Sequence, residues 1–371
     1  MRRHATWIAV ALFAALVAAK FDLHTGFTSL IRFGETWQDR RSPALQALPI
    51  ATVPRSNGYD GQFYAQLALD PLLRGPDLAQ VMDDPSYRAR RILVPATAAL
   101  LGLARPWWTL QAYALLNVGC WLALAWILRR EIAADDWLGF ARWLGCMFSL
   151  GVLDSVRQSL VDLPALLLLT LAVRAWTRPN PNPSTLWLAL GNLARETNLL
   201  GAVALHGDRL FRRVGWQGSL VQLVAAAVPL GLWSLYVHDR FGGSFATGRD
   251  NFTWPLLGAF DQARLSLGEV LHGPAESRHL FGLLGLAALA VQLLFLWRTP
   301  RPAVAWWRIG LAYSVLLLFL GPMVWSGYWA ACRAVLPMTI AFNLLLPAGR
   351  NFWPMWILGN LSLIHGVWRF L

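Results

Sequence analysis

The residues best suited to chemistry lie in one short stretch, Asn57-Gly58-Tyr59-Asp60-Gly61-Gln62-Phe63-Tyr64. Asn-Gly marks a turn, and the residues after it follow a helical period that puts Asp60, Tyr64 and Leu67 on one face. Asp60 then falls in the first helical turn, where the positive end of the helix dipole favours an ionised carboxylate. Such a carboxylate can take the proton of an attacking hydroxyl or hold a metal. Its plainer use is to cap the helix. Tyr59 and Tyr64 flank it and would line any cavity it faces.

A second group follows at Asp83-Asp84-Pro85-Ser86-Tyr87-Arg88-Ala89-Arg90-Arg91. Arg88, Arg90 and Arg91 stand where the chain turns apolar again, as a phosphate or diphosphate cradle would require. The planar guanidinium fork gives parallel, charge-assisted bonds to phosphate oxygens. Arginines at such a place also snorkel to lipid headgroups. Asp83 and Asp84 are candidate oxygen ligands for a divalent cation, or ordinary turn residues. A metal is therefore not implied, and no cofactor is identified. Two more charged places lie inside apolar sequence. Arg195 and Glu196 interrupt residues 186–206, either neutralising one another or marking function, as charges within a membrane do by default. Arg333 follows the loop 322–332, with Tyr328 and Trp329 just before it.

The elements that must position these residues are apolar. Hydrophobic residues make up 56% of the 371-residue chain, charged residues 14%, and there are 21 tryptophans. That balance excludes an ordinary soluble globule and points to an all-α polytopic membrane protein. Nine runs read as full spans: 6–20, 107–128, 138–153, 162–176, 217–237, 279–297, 305–321, 333–347 and 352–367. The first also has the form of a signal peptide, with Val17-Ala18-Ala19 as a cleavage site. Residues 92–104 are too short to span and contain Pro95. Residues 186–206 read as two short helices in a hairpin whose polar tip lies within the membrane beside a polar cavity.

Orientation comes from arginine, since Lys20 is the one lysine. Arg2 and Arg3, Arg129 and Arg130, Arg174 and Arg178, Arg209 with Arg212 and Arg213, Arg298 with Arg301 and Arg308, and Arg350 fall on one side if the N-terminus is cytoplasmic. The chain is then a single transmembrane domain, 1–371. Its large first outer loop is 20–106 and a second is 238–278, with shorter outer loops at 153–161 and 322–332. Within 238–278, residues 256–271 form an amphipathic helix with Leu256, Phe260, Ala263, Leu267 and Val270 on its apolar face. The net charge of +12 reads, in a membrane protein, as affinity for anionic lipid and phosphate rather than nucleic acid. Cys120, Cys146 and Cys332 are too scattered for a disulfide framework or a zinc site.

Tyr59-Asp60-Gly61-x-x-Tyr64-x-x-x-Ala68 in a long first outer loop, an arginine-rich re-entry, and a late outer arginine before an apolar span together resemble the GT-C superfamily. These are polytopic glycosyltransferases with polyprenyl-phosphate-sugar donors, and the chain is most similar to bacterial members associated with cell-surface glycopolymer formation. The resemblance implies a GT-C-like bundle in the inner membrane and a glycan or lipid acceptor on the periplasmic side. It makes Asp60 the catalytic base. It also implies Arg88, Arg90, Arg91 and Arg333 as donor-phosphate ligands, and an inverting hexosyl or pentosyl transfer. Gly61 stands where many members place a second acid. The contrasting expectation is a non-catalytic transporter or flippase of a lipid-linked glycan, using the same arginines without a base and supported by the embedded Arg195 and Glu196.

Overall fold

The computed structural model describes residues 4–178, 182–210, 216–242, 248–273 and 276–371, with no side-chain description for 208–210. Arg2, Arg3, Arg212 and Arg213 lie outside the described residues, as does the side chain of Arg209. The chain is all-α, 73% helix, apart from a two-residue parallel pairing of β1 (Phe33–Gly34) with β2 (Thr52–Val53).

The first helix, α1 (Ala5–Ala18), is apolar nearly all round and packs Phe13 on Trp121, ring centroids 3.7 Å apart. The first loop holds α2 (Pro43–Gln46), α3 (Gly61–Leu69), α4 (Pro85–Arg88) and α5 (Leu93–Leu101). Residues Gly61 to Ala68 of α3 are all buried, so this helix is an inserted plug. Next come α6 (Pro106–Ile132), α7 (Trp137–Met147), α8 (Leu150–Arg157) and α9 (Asp162–Trp176). The hairpin α10 (Asn182–Ala194) and α11 (Asn198–Leu210) turns at Arg195-Glu196-Thr197, as the polar interruption predicts. Then follow α12 (Trp216–Phe241), α13 (Leu257–His272), α14 (Ser277–Arg298) and α15 (Ala305–Phe319). The chain closes with α16 (Pro322–Trp325), α17 (Tyr328–Ala334), α18 (Leu336–Leu345), α19 (Phe352–Gly359) and α20 (Ser362–Phe370).

Among the described residues, three helices are long and apolar enough to cross a membrane: α6, α12 and α14. A fourth crossing results if α17 and α18, bent by 64°, count as one. The nine full spans expected from the apolar runs are a correction to make, and the breaks have local causes. The run 138–153 divides at Ser149, whose backbone is extended. The run 352–367 divides at Asn360, whose amide trades hydrogen bonds with the buried Asn343 at 3.0 and 3.1 Å. Runs 6–20, 162–176 and 305–321 form helices of 14 or 15 residues, roughly 21–23 Å at 1.5 Å per residue, short of a ~30 Å hydrocarbon core.

Helix α13 contains the expected amphipathic segment, and Leu256, Phe260 and Leu267 of its apolar face are exposed. Its protein-facing side is Gly258, Gln262 and Ser266, while Leu257, Phe260, Leu265, Leu267 and Leu271 face outward. Gln262 Nε2 donates to Ser266 Oγ at 2.8 Å. Asp261 and Arg264 are exposed as well, so the outward side carries both charged and apolar side chains.

The molecule has two chemically different ends. At one, Arg142 donates to the Leu346 carbonyl, Arg301 to the Leu345 carbonyl and Arg308 to the Ala204 and Leu205 carbonyls, with Arg174 3.8 Å from Glu131. The first loop, the start of α9, the hairpin tip and the end of α15 meet at the other.

Candidate active site

Asp60 is delivered by a tightly specified turn. Gly58 is left-handed (φ 70°), and the Gln62 side chain ties the turn from both sides. Its Nε2 donates to the Asn57 carbonyl at 2.7 Å, and its Oε1 accepts from the Gly34 N–H at 3.1 Å. Gly61 begins α3 in close contact with the α8–α9 connection, where an added Cβ would lie 2.1 Å from the Gln158 carbonyl oxygen. No second acid fits beside Asp60, because that position has no room for any side chain.

Asp60 does not cap its helix. Its side chain makes no capping bond and turns instead to Arg88, which grips it with Nη1 and Nη2 at 2.9 Å each. Burial alone would lift the Asp60 pKa, but Arg88 and then Arg333 outweigh it and hold the carboxyl below its ordinary value. The helix dipole is therefore not what keeps it ionised. Asp60 remains 32% exposed, and each carboxylate oxygen retains a second lone pair for a ligand.

Around it opens a cavity of about 670 Å³ lined by Tyr59, Asp60, Tyr64, Asp83, Asp84, Arg88, Arg90, Arg91, Asp162, Arg195, Glu196 and Arg333. Its apolar wall is Phe252, Leu316, Leu320, Met323 and Val324. The candidate acids, arginines and tyrosines at 59 and 64 thus reach one space, and segments 270 positions apart meet beside it: Trp329 Nε1 donates to the Tyr59 hydroxyl at 2.9 Å and Arg333 Nη2 at 2.6 Å. Burial pushes the Tyr59 phenol up to about 12 despite Arg333, so it stays protonated.

The arginines differ from a simple phosphate cradle. Arg88 also donates from Nε and Nη2 to both oxygens of Asp83, at 2.9 and 2.6 Å. Arg91 holds Glu196 through Nε and Nη2 at 2.9 and 2.6 Å, and donates to the Tyr64 hydroxyl at 2.9 Å. Arg90 donates to the Ser86 carbonyl. Five arginines and six acidic residues line the cavity, so it is no bowl of positive charge. Arg88 and Arg91 hold carboxylates, a role that the expectation of a phosphate cradle did not include.

Arg195 and Glu196 do not neutralise each other. Glu196 pairs with Arg91, and Arg195 with Asp162. Arg195 Nε has no hydrogen-bond partner among the described residues. Arg333 lies 3.3 Å from both Asp162 and Asp154. Asp162 and Asp154 were not foreseen, although acids set against apolar runs are a usable signal. The cation-site reading of Asp83 and Asp84 also needs correction. Arg88 occupies Asp83, and Asp84 caps α4 by accepting the Tyr87 N–H at 2.9 Å. Among the described residues no group of three or more His, Cys, Asp or Glu is placed to hold a metal.

Comparison of the chain with protein-family models, with curated proteins and with solved structures returned no match. The functional reading rests on the cavity itself.

Proposed function

We propose that the protein is a GT-C-type inverting glycosyltransferase of a bacterial inner membrane, with a cytoplasmic N-terminus and its cavity on the periplasmic side. It would transfer a sugar from a polyprenyl-phosphate donor to a glycan or lipid acceptor. The observation that carries this reading is one cavity holding an ionised, partly exposed carboxylate, Asp60, together with Arg195 and Arg333.

The acceptor hydroxyl gives its proton to Asp60 as its oxygen bonds to the anomeric carbon. The bond from that carbon to the phosphate oxygen breaks, and the electron pair leaves with the polyprenyl phosphate. Arg195, with an unpartnered Nε, and Arg333 meet the charge that grows on this phosphate; cations fixed in place before the reaction lower its barrier. Arg88 is a positioning residue that orients Asp60 and keeps it ionised. The apolar wall from Phe252 to Val324 suits the isoprenoid tail.

The deciding measurement is radiolabelled sugar transfer from a lipid-linked donor by purified protein. Asp60→Asn keeps the shape and removes the base. Transfer should fall by at least ~100-fold while donor binding survives. Wild-type transfer by this variant would remove the proposed mechanism. Movement of a lipid-linked glycan without transfer, by the wild type itself, would favour transport.

A further inference from the structure

Behind the Tyr59 wall of the cavity, four arginines gather round one buried acid. Asp154 in α8 is fully enclosed, accepts from Arg369 Nη2 at 2.9 Å and Gln158 Nε2 at 2.6 Å, and lies 3.3 Å from Arg333 Nε. One turn on, Arg157 Nη1 donates to the Ser29 carbonyl at 3.0 Å. Arg32, on the same loop as Ser29, is left-handed (φ 61°) and gives its carbonyl to the Tyr59 N–H at 3.1 Å. Its guanidinium makes no hydrogen bond or salt bridge among the described residues. Arg369 lies over the Trp329 ring at 4.4 Å.

Arg369 and Arg333 contact the Asp154 carboxylate directly, while Arg32 and Arg157 feel its charge without an ion pair to it. Burial first, and then the neighbouring arginines, lower the pKa of Arg32 and Arg157. Such crowding is unfavourable unless an anion sits among them. Exposed apolar side chains flank the group: Phe21 and Leu23 on the loop, Ile364 and Trp368 on α20. Cations next to exposed apolar groups match a phosphate that carries acyl chains.

We propose that Arg32, Arg157 and Arg369 bind the phosphate headgroup of an anionic membrane lipid at a site separate from the transfer cavity. This rests on the membrane placement proposed above and not on glycosyl transfer. The test is thermal unfolding of the purified full chain in neutral detergent micelles. These are titrated with dioleoyl phosphatidylglycerol, dioleoyl phosphatidylcholine or inorganic phosphate. Phosphatidylglycerol should raise the midpoint saturably, and the other two should not. The double variant Arg32→Gln/Arg157→Gln should weaken that response roughly 10-fold or more, whereas Arg195→Gln, in the cavity, should not. Equal responses to phosphatidylcholine, or to inorganic phosphate, would overturn the lipid headgroup, and so would an unchanged response in the double variant. Should that variant not fold, Arg32→Lys/Arg157→Lys keeps the charge and loses the fork; its response should weaken several-fold, and an unchanged one overturns the proposal.

Discussion

Arg88 is the residue on which Asp60 most depends. A base must be ionised to act, so under the proposed mechanism the rate should fall as pH drops through the Asp60 pKa. Burial would raise that pKa; Arg88 is the strongest group opposing it. Arg88→Lys keeps one charge but cannot grip Asp60 and Asp83 together through a planar fork. The Asp60 pKa should therefore rise, and the acid limb of the pH–rate profile should move to higher pH. A purely structural role for Arg88 would lower activity at every pH without moving the limb. Asp60 itself was legible as a candidate from the Asn-Gly turn and the helical period. Its partner was not, because the 28 positions between Asp60 and Arg88 are closed by packing that no local pattern encodes.

At the scale of elements, α3 and the hairpin tip decide the site. An alanine at Gly61 would press its Cβ against the Gln158 carbonyl, which is backbone and cannot swing away. Gly61→Ala should cost about 1–3 kcal/mol of stability, as overpacking does, and should lower transfer by displacing Asp60. Unfolding in detergent beside the transfer assay measures both; a variant as stable and active as wild type would mean that α3 slides freely. The hairpin is locked differently. Glu196→Gln leaves Arg91 buried without its counter-ion, and breaking a buried pair of this kind costs about 3 kcal/mol. Arg91 is 8% exposed in its side chain, so water offers little relief. An unchanged unfolding midpoint would show that Tyr64 and Tyr87 suffice to hold Arg91. The hairpin was readable from the polar break in residues 186–206, but the partners at its tip were not. The sequence places Arg195 beside Glu196, and the fold gives them different partners, Asp162 and Arg91.

For the whole molecule, the end carrying Arg142, Arg174, Arg301 and Arg308 is opposite the cavity, and the expected orientation puts it in the cytoplasm. Asp77 is exposed on the first loop, and Gly349 is exposed near the other end. Asp77→Cys should react with an impermeant thiol reagent in intact spheroplasts, and Gly349→Cys only after lysis. Cys146 and Cys332 are buried and Cys120 is half-buried within α6, so the wild type is labelled beside both variants as the background. The reverse pattern would invert the orientation and move the cavity to the cytoplasm. The sequence by itself determined the all-α class, the polar hairpin and those lining residues that come from the first loop, the hairpin tip and Arg333. Composition and helical period are local properties, and charges in apolar sequence are rare enough to stand out. Tertiary structure alone decided which apolar runs form helices long enough to cross a membrane, since an apolar run continues through Ser149 or Asn360 while its helix does not. It alone decided that Arg88 and Arg91 hold carboxylates and that Asp162 and Asp154 complete the arginine network. Ion pairing depends on which side chains packing brings within about 3 Å, and among the described residues those partners lie up to 215 positions apart, as Arg369 does from Asp154.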